Sequence, residues 1–404
     1  MIRFMKACLI CVAGLFPVAV AAQMTVPAAR AATDFDTWRD GFRETALAAG
    51  ISSTVFDTAF RNVRVTPRTR TNDTNQPEFV RPIWEYLDDA VSSSRISTGR
   101  AKGKELGSLL RSIERKYGVD SEALLAIWGM ETNFGSFRGT TYTIEALANT
   151  AFDDRRRAFA EKELLAALEI LARGDVTSAK MIGGWSGAMG HTQFMPSTYL
   201  RYGVDQNGDG KRNIWANDPA DALASAANYL KRLGWQNNVP WGGEVTLPEG
   251  FDYALIGEYD TRSASFWNTR GVRLTDGRKV PAHGATALIA PAGANGPIFA
   301  VFPNFQVIRQ YNMSVSYALS VGHLSDRIAG DKPLQTSWPR NATPLSRAEQ
   351  HEIQALLHKR GFDVGAIDGM LGPKSIEAIQ AYQISIGALA DGYATVDLLK
   401  LLRR

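Results

Sequence analysis

The run Ala123-Leu124-Leu125-Ala126-Ile127-Trp128 is apolar without a break, and it leads into Gly129-Met130-Glu131-Thr132-Asn133-Phe134-Gly135. A helix this apolar has to be buried, and a carboxylate at its end is costly there unless something uses it. The spacing predicts a helix that starts after Asp120 as N-cap, is stapled by Val119 and Leu124, and runs to Asn133, with Gly135 marking its end. Ile127 and Trp128 then stand at i−4 and i−3 from Glu131, on its face. Glu131 also occupies the last turn, where the carbonyl end of the helix dipole is negative. Both surroundings disfavour the charged form and should raise its pKa. A carboxylic acid kept protonated near neutrality suits the protonation of a leaving group. A helix-terminal glutamate turned to solvent is the bland alternative, and spacing alone leaves the two level.

With 404 residues, 45% of them hydrophobic and 21% charged, the chain has material for more than one globular domain. A net charge of +4 is too small to argue for nucleic acid as a partner. The first 31 residues read as a signal peptide: Arg3 and Lys6 precede an apolar stretch from Ala7 to Ala22, and small residues follow. That stretch is short for a membrane span, so an exported protein is expected rather than an anchored one. Both cysteines, Cys8 and Cys11, fall inside it, which leaves the mature chain without a thiol or disulfide. They do not follow a lipoprotein pattern.

Helical periodicity is expected from Asp36 to about Arg61, with Trp38, Phe42, Leu47 and Phe56 on a buried face. Thr66 to Gln76 reads as a polar loop. Further helices are expected over Ala101–Tyr117 (closed by Gly118), Phe159–Arg173, Asp221–Leu233 and Ser314–Arg327. Short β-like runs at Val245, Val272, Ala287 and Ile298–Phe302, with turns at Asp276-Gly277 and Gly293–Gly296, predict a small antiparallel insertion. Residues 330–343 read as a linker, and 344–402 as a small helical module with helices at Arg347–Arg360 and Lys374–Tyr382. The fold class is α+β, predominantly α.

A standard glycosidase pairs its acid with a second carboxylate. The acids near Glu131 in sequence do not offer one: Asp153-Asp154 beside Arg155-Arg156-Arg157 reads as a solvated cluster with Asp153 as a cap, and Glu145 has no distinguishing setting.

Three motifs in order change that picture. Gly-Met-Glu131-Thr-Asn-Phe-Gly, then Gly187-Ala-Met-Gly-His-Thr-Gln193-Phe-Met-Pro-Ser197, then Pro303-Asn-Phe305 with Tyr311-Asn312, resemble the membrane-bound lytic murein transglycosylase B family over about Asp34 to Arg327. The resemblance implies a lysozyme-like catalytic domain over 34–329. It implies cleavage of the β-1,4 bond between N-acetylmuramic acid and N-acetylglucosamine, leaving a 1,6-anhydromuramoyl end without use of water. One carboxyl, Glu131, then acts as acid and afterwards as base, with the substrate's own N-acetyl group stabilising C1. Gln193, Tyr229, Asn312, Tyr317 and Tyr86 are the substrate-binding residues it implies. Where the family commonly has serine before the aromatic that precedes Gly-Ala-Met-Gly, this chain has Gly184.

Asp205, Asn207 and Asp209 stand at positions 1, 3 and 5 of an EF-hand-like loop, with Gly210 at 6 and the Lys211 carbonyl at 7. Position 12 is Ala216, so the usual glutamate is missing, and the resemblance implies Asp221 in its place. Against a metal, Asp218-Pro219 reads as an N-cap and N1 pair that gives Asp221 an ordinary capping use. A weak structural Ca²⁺ site is expected, with no cofactor needed for chemistry.

The C-terminal run Asp368-Gly369-Met-Leu-Gly372-Pro373, followed by Ala378-Ile-Gln-Ala-Tyr382-Gln383, resembles the three-helix peptidoglycan-binding domain type 1. The partner expected is the peptidoglycan glycan strand, in the periplasm of a Gram-negative envelope, with cell-wall synthesis proteins as a further partner class. The alternatives are a lysozyme-type muramidase and a non-catalytic wall-binding scaffold.

Overall fold

A computed structural model describes residues 28–65, 81–153 and 156–404 of the chain. Most of the expected signal peptide, with both cysteines, lies outside the described residues, as do the expected loop Thr66 to Gln76 and Asp154.

The helix Ser121–Thr132 sits at the centre of the main core. Every residue from Ala123 to Gly129 is buried, so it has no solvent face, as its unbroken apolar run requires. The helices Val315–Ala329, Ser93–Glu105, Gly107–Tyr117 and Ala220–Arg232 pack around it. Its end departs from the expected one. The helix stops at Thr132, because Asn133 (φ 48) and Phe134 (φ 58) both turn left-handed, and Gly135 lies beyond the stop. Asn133 N–H donates to Gly129 O at 3.1 Å and Phe134 N–H to Trp128 O at 3.2 Å, which uses up two carbonyls of the last turn. At the other end Asp120 holds the N-cap position without a side-chain bond to the helix.

Two expected helices are each broken in two. The first pattern divides into Ala28–Ala48 and Ser53–Phe60 at Gly50 (φ 88), where Ser52 caps the second piece. Trp38, Phe42 and Phe56 still form one aromatic cluster, while Leu47 is exposed. The second divides at Leu106 into Ser93–Glu105 and Gly107–Tyr117. Helices the periodicity did not single out are Ile83–Ala90, Thr143–Phe152, Pro196–Tyr202, Ala264–Thr269 and Pro303–Tyr311. Asp153, expected as a cap at a helix start, instead follows the end of Thr143–Phe152.

The β insertion is a four-stranded antiparallel sheet in the order Arg273–Leu274, Gly242–Thr246, Ile298–Val301, Ala287–Ile289. It covers a second, smaller core around Trp267, Val272, Leu288 and Phe302.

Residues 347–402 form three helices, Arg347–Lys359, Pro373–Ser385 and Val396–Leu402, about Ile353, Leu357, Ile379 and Leu399. Buried Gln354 ties the module's loop together, accepting from Asp368 and Gly369 N–H and donating to the Ala366 and Met370 carbonyls. The segment that joins this module to the body lies along the body. The Glu244 carboxylate takes the N–H groups of Gln335 and Thr336, both at 2.7 Å, and Arg340 pairs with Asp88. The module itself is fastened by Gln380 Nε2 on the Ile256 carbonyl (2.8 Å) and by Asp391 on Ala294 N–H (3.1 Å).

Behind the central helix, Trp241 lies flat on Gly322, where a Cβ would come within 2.3 Å of the indole, and donates to the Asp326 carboxylate at 3.0 Å. Burial pushes the Asp326 carboxyl from 3.8 up to about 7, against the smaller opposing effect of that hydrogen bond. The folded protein thus keeps this proton over a range in which the unfolded chain gives it up, so stability falls as pH rises between those two values. Asp326→Asn, which keeps an acceptor for Trp241, should flatten the loss of stability between pH 5 and pH 8 by a few kcal/mol at most, read from denaturant unfolding at the two pH values.

Candidate active site

Glu131 is half-buried in the last turn of its helix. The Tyr317 phenol donates to its Oε1 at 2.5 Å. Tyr317 is only 3% exposed and lies in the first turn of Val315–Ala329. That turn is set by two caps in series: Asn312 Oδ1 accepts from Ser314 N–H at 3.0 Å, and Ser314 Oγ accepts from Tyr317 N–H at 3.3 Å. The structure therefore gives Asn312 a local task, the entry into the Tyr317 helix. Burial first, and the Glu131 carboxylate second, hold the Tyr317 phenol well above the usual tyrosine range, so it remains a donor. Tyr311 is raised in the same way by the same two causes, and its hydroxyl donates to the Thr192 carbonyl at 2.7 Å.

The glycine-rich segment forms the opposite wall. Met189 and Phe194 exchange backbone hydrogen bonds at 2.9 and 3.0 Å, and Gly184 N–H donates to Ala188 O at 2.8 Å, which folds residues 183–194 into a tight double turn. Only glycine fits where the strands cross: a Cβ on Gly183 would lie 1.9 Å from Ala188 O, and one on Gly139 would lie 2.0 Å from Gly183 O. Gln193 takes a left-handed backbone (φ 49) at the end of this turn. Its Nε2 donates to Gly190 O at 2.9 Å, and its Oε1 stands 3.0 Å from where a Cβ on Gly184 would be. A serine at 184 would thus crowd the Gln193 carboxamide.

Tyr229 belongs to an aromatic group with Tyr202, Phe194 and Tyr311, at ring distances of 4.6, 5.6 and 5.5 Å. Tyr86 is half-buried on Ile83–Ala90, a helix that packs against Val315–Ala329. The structure therefore brings Glu131 and Tyr317 into direct contact beside the Tyr311 and Tyr229 rings, with Gln193 on the adjoining turn and Tyr86 on a helix packed against that of Tyr317. Tyr311 was inside a motif without a role, and its buried hydroxyl is a long-range feature that the local pattern does not signal. His191, Arg138 and Thr132 were missed as well. His191 is 3% exposed and is bonded to Trp128. Its setting was hidden because its partners, Trp128 and Thr132 among them, are distant in sequence.

The acids near Glu131 in sequence are engaged elsewhere. Glu145 accepts from Arg64 N–H at 3.1 Å. Buried Glu163 caps Pro196–Tyr202 through Ser197 N–H and Oγ.

The carboxylates of Asp205, Asp209 and Asp221 approach within 4.8 Å of one another. Asp221 is buried and accepts from Gln206 and Asn213 N–H, both at 2.8 Å, so it closes the loop rather than simply capping its helix. Asp218 makes the capping bond to Ala220 N–H. Burial raises the Asp221 carboxyl against three backbone donors, and the Asp205 charge adds to the rise. Asn207 Oδ1 and Asp209 Oδ1 fold the loop through the N–H groups of Asp209 and Lys211. This all-oxygen set suits a hard divalent cation such as Ca²⁺, which would relieve the crowding of three carboxylates.

Residues 34–326 match the transglycosylase SLT domain family, and residues 346–402 match a peptidoglycan binding domain. The membrane-bound lytic murein transglycosylase B of Escherichia coli K12 is 31% identical over 267 residues, covering 64% of this chain and 71% of that protein. The crystal structure of SltB3 from Pseudomonas aeruginosa in complex with NAG-anhNAM-pentapeptide is 46% identical at a TM-score of 0.88, over 92% of this chain and 99% of that one. The Escherichia coli lytic transglycosylase Slt35 in complex with calcium is 26% identical at a TM-score of 0.63, over 73% of this chain and 92% of that one.

Tyr317→Phe removes the donor to Glu131 with little change of volume. It should lower kcat by roughly tenfold to a hundredfold. The pH–rate limb that reports the carboxyl should move to higher pH, since the carboxylate loses a hydrogen bond. Steady-state rates across a pH series check both.

Proposed function

The chain belongs to the transglycosylase SLT family and is a lytic murein transglycosylase, and we propose that Glu131 alone carries its acid and base steps. The enzyme cleaves the β-1,4 bond between N-acetylmuramic acid and N-acetylglucosamine and leaves a 1,6-anhydromuramoyl end. The Glu131 carboxylic acid gives its proton to the glycosidic oxygen, and the N-acetylglucosamine leaves. The substrate's N-acetyl carbonyl stabilises the cationic C1. Ionised Glu131 then takes the proton of the muramoyl O6 hydroxyl as O6 bonds to C1, which restores the acid and consumes no water.

The observation that carries this assignment is the Tyr317 phenol 2.5 Å from Glu131. A neutral donor satisfies the carboxylate without adding a charge, whereas a guanidinium would hold it ionised and unfit to act as an acid. In this reading Gln193 contacts the sugar or its N-acetyl substituent, Asn312 serves substrate binding through the entry it sets for the Tyr317 helix, and Tyr86 and Tyr229 line the cleft. The C-terminal module binds the same polymer. Residues 1–31 direct export to the periplasm, where proteins of cell-wall synthesis are the partner class. Among the described residues no helix is long and apolar enough to cross a membrane.

Mass spectrometry of muropeptides released from purified peptidoglycan tests the assignment. Anhydromuramoyl products from the unaltered protein and none from Glu131→Gln are expected. Reducing ends, heavier by one water, would mean a muramidase. Release that survives Glu131→Gln would remove Glu131 from the chemistry.

The loop Asp205, Asn207, Asp209, Lys211 and Asp221 holds Ca²⁺ as a structural ion. Millimolar Ca²⁺ should raise Tm by a few degrees. Asp221→Asn should abolish that rise, and calorimetric titration should then show no binding heat.

A further inference from the structure

We propose that His191 is a positioning residue for Glu131, fixing the end of the catalytic helix in the orientation that both proton transfers require. The proposal rests on the assignment of Glu131 above.

Two residues of that helix turn are tied to His191. Trp128, three residues before Glu131, donates its indole N–H to His191 Nδ1 at 3.0 Å. Thr132, which follows Glu131 directly, donates its hydroxyl to the His191 carbonyl at 2.7 Å and accepts Gly135 N–H at 3.0 Å. An indole can only donate, so Nδ1 is the acceptor and Nε2 carries the hydrogen. Nε2–H then donates to the Ala216 carbonyl at 2.7 Å. The imidazole is neutral in this arrangement, and burial pushes its pKa below the usual histidine value, with Arg138 adding to the fall.

The support beneath the ring is braced in turn. His191 N–H donates to Ile214 O at 3.1 Å, and Arg138 Nη1 donates to the Trp215 and Ala216 carbonyls, both at 2.9 Å. Asn213 N–H is held by Asp221 at 2.8 Å. On the other side the ring fills the place of a missing side chain, since a Cβ on Gly135 would lie 2.5 Å from it. His191 is thus the joint between the end of the Glu131 helix and the 213–221 loop. A side chain of similar volume without nitrogens would leave Trp128 Nε1 unpaired and the Ala216 carbonyl with Arg138 alone, so that the helix end is held on this side only by the Thr132 bond to the His191 backbone. A shift on the order of 1 Å at a reacting group costs about a hundredfold in rate.

The test measures kcat and KM for anhydromuramoyl release from purified murein glycan strands, with thermal unfolding of every variant. His191→Leu should lower kcat roughly tenfold to a hundredfold while KM stays within about twofold. His191→Asn, whose Oδ1 can accept from Trp128, should recover most of that loss. Trp128→Phe should lose kcat at unchanged KM, and combining it with His191→Leu should cost no more than His191→Leu alone. Unchanged kcat in His191→Leu, an asparagine no better than leucine, or losses that multiply would each overturn the proposal. If His191→Leu does not fold, Trp128→Phe decides, and an unchanged kcat there overturns it. Glu131→Gln, run alongside, separates the two assignments: an active Glu131→Gln fails Glu131 itself, while an inactive one beside a normal His191→Leu fails His191 only.

Discussion

The hydrogen bond from Tyr317 to Glu131 joins two residues 186 positions apart in sequence, on two helices, and the candidate site is organised about it. A carboxyl at the C-terminal end of a helix buried on all sides has an unfavourable setting for its charge. The phenol offsets that cost with a strong short bond, yet brings no counter-charge of its own. Everything that fixes Tyr317, from the Asn312 and Ser314 caps to its burial, therefore also fixes the Glu131 carboxyl.

The opposite wall is governed by backbone clearance. Gly139, Gly183 and Ala188 bring three stretches of main chain so close that no side chain fits between them. On the same wall Gln193 takes a left-handed conformation that a residue with a Cβ adopts at some cost. Gly184 belongs to the same arrangement. It leaves space beside the Gln193 carboxamide that a serine there would have narrowed.

The candidate site residues were legible because they sit in short, unusual local patterns. An acid ending an apolar run, oxygen ligands at alternate positions of a loop, and an Asp-Gly-x-x-Gly-Pro turn can each be read within a dozen residues. What escaped depends on contacts between distant segments. The stop of the Glu131 helix at Thr132, one residue short of the expected Asn133, goes with the way Phe134 folds back against Gly129. The breaks at Gly50 and Leu106 interrupt patterns that are helical on both sides. His191 looked like one more polar residue of a glycine-rich turn, because Trp128 lies 63 positions away. Residues 330–343 have the composition of a linker, and composition cannot reveal that Glu244, about 90 residues earlier, holds two of the N–H groups in that segment.

That last difference alters how the C-terminal module contributes. A flexible tether raises the local concentration of a catalytic domain along a polymer and leaves its angle free. Here the joining segment is fastened through Glu244 and Arg340, and the module is seated through Gln380 and Asp391 on the face that carries the β insertion. These contacts fix the direction of the module on the body as well as its distance from it. Orientation of this kind contributes to catalysis where one group must protonate a bridging oxygen and then reach the O6 hydroxyl of the muramoyl sugar that keeps C1. A single carboxyl can serve both only if the strand, as well as the carboxyl, stays in register between the two steps.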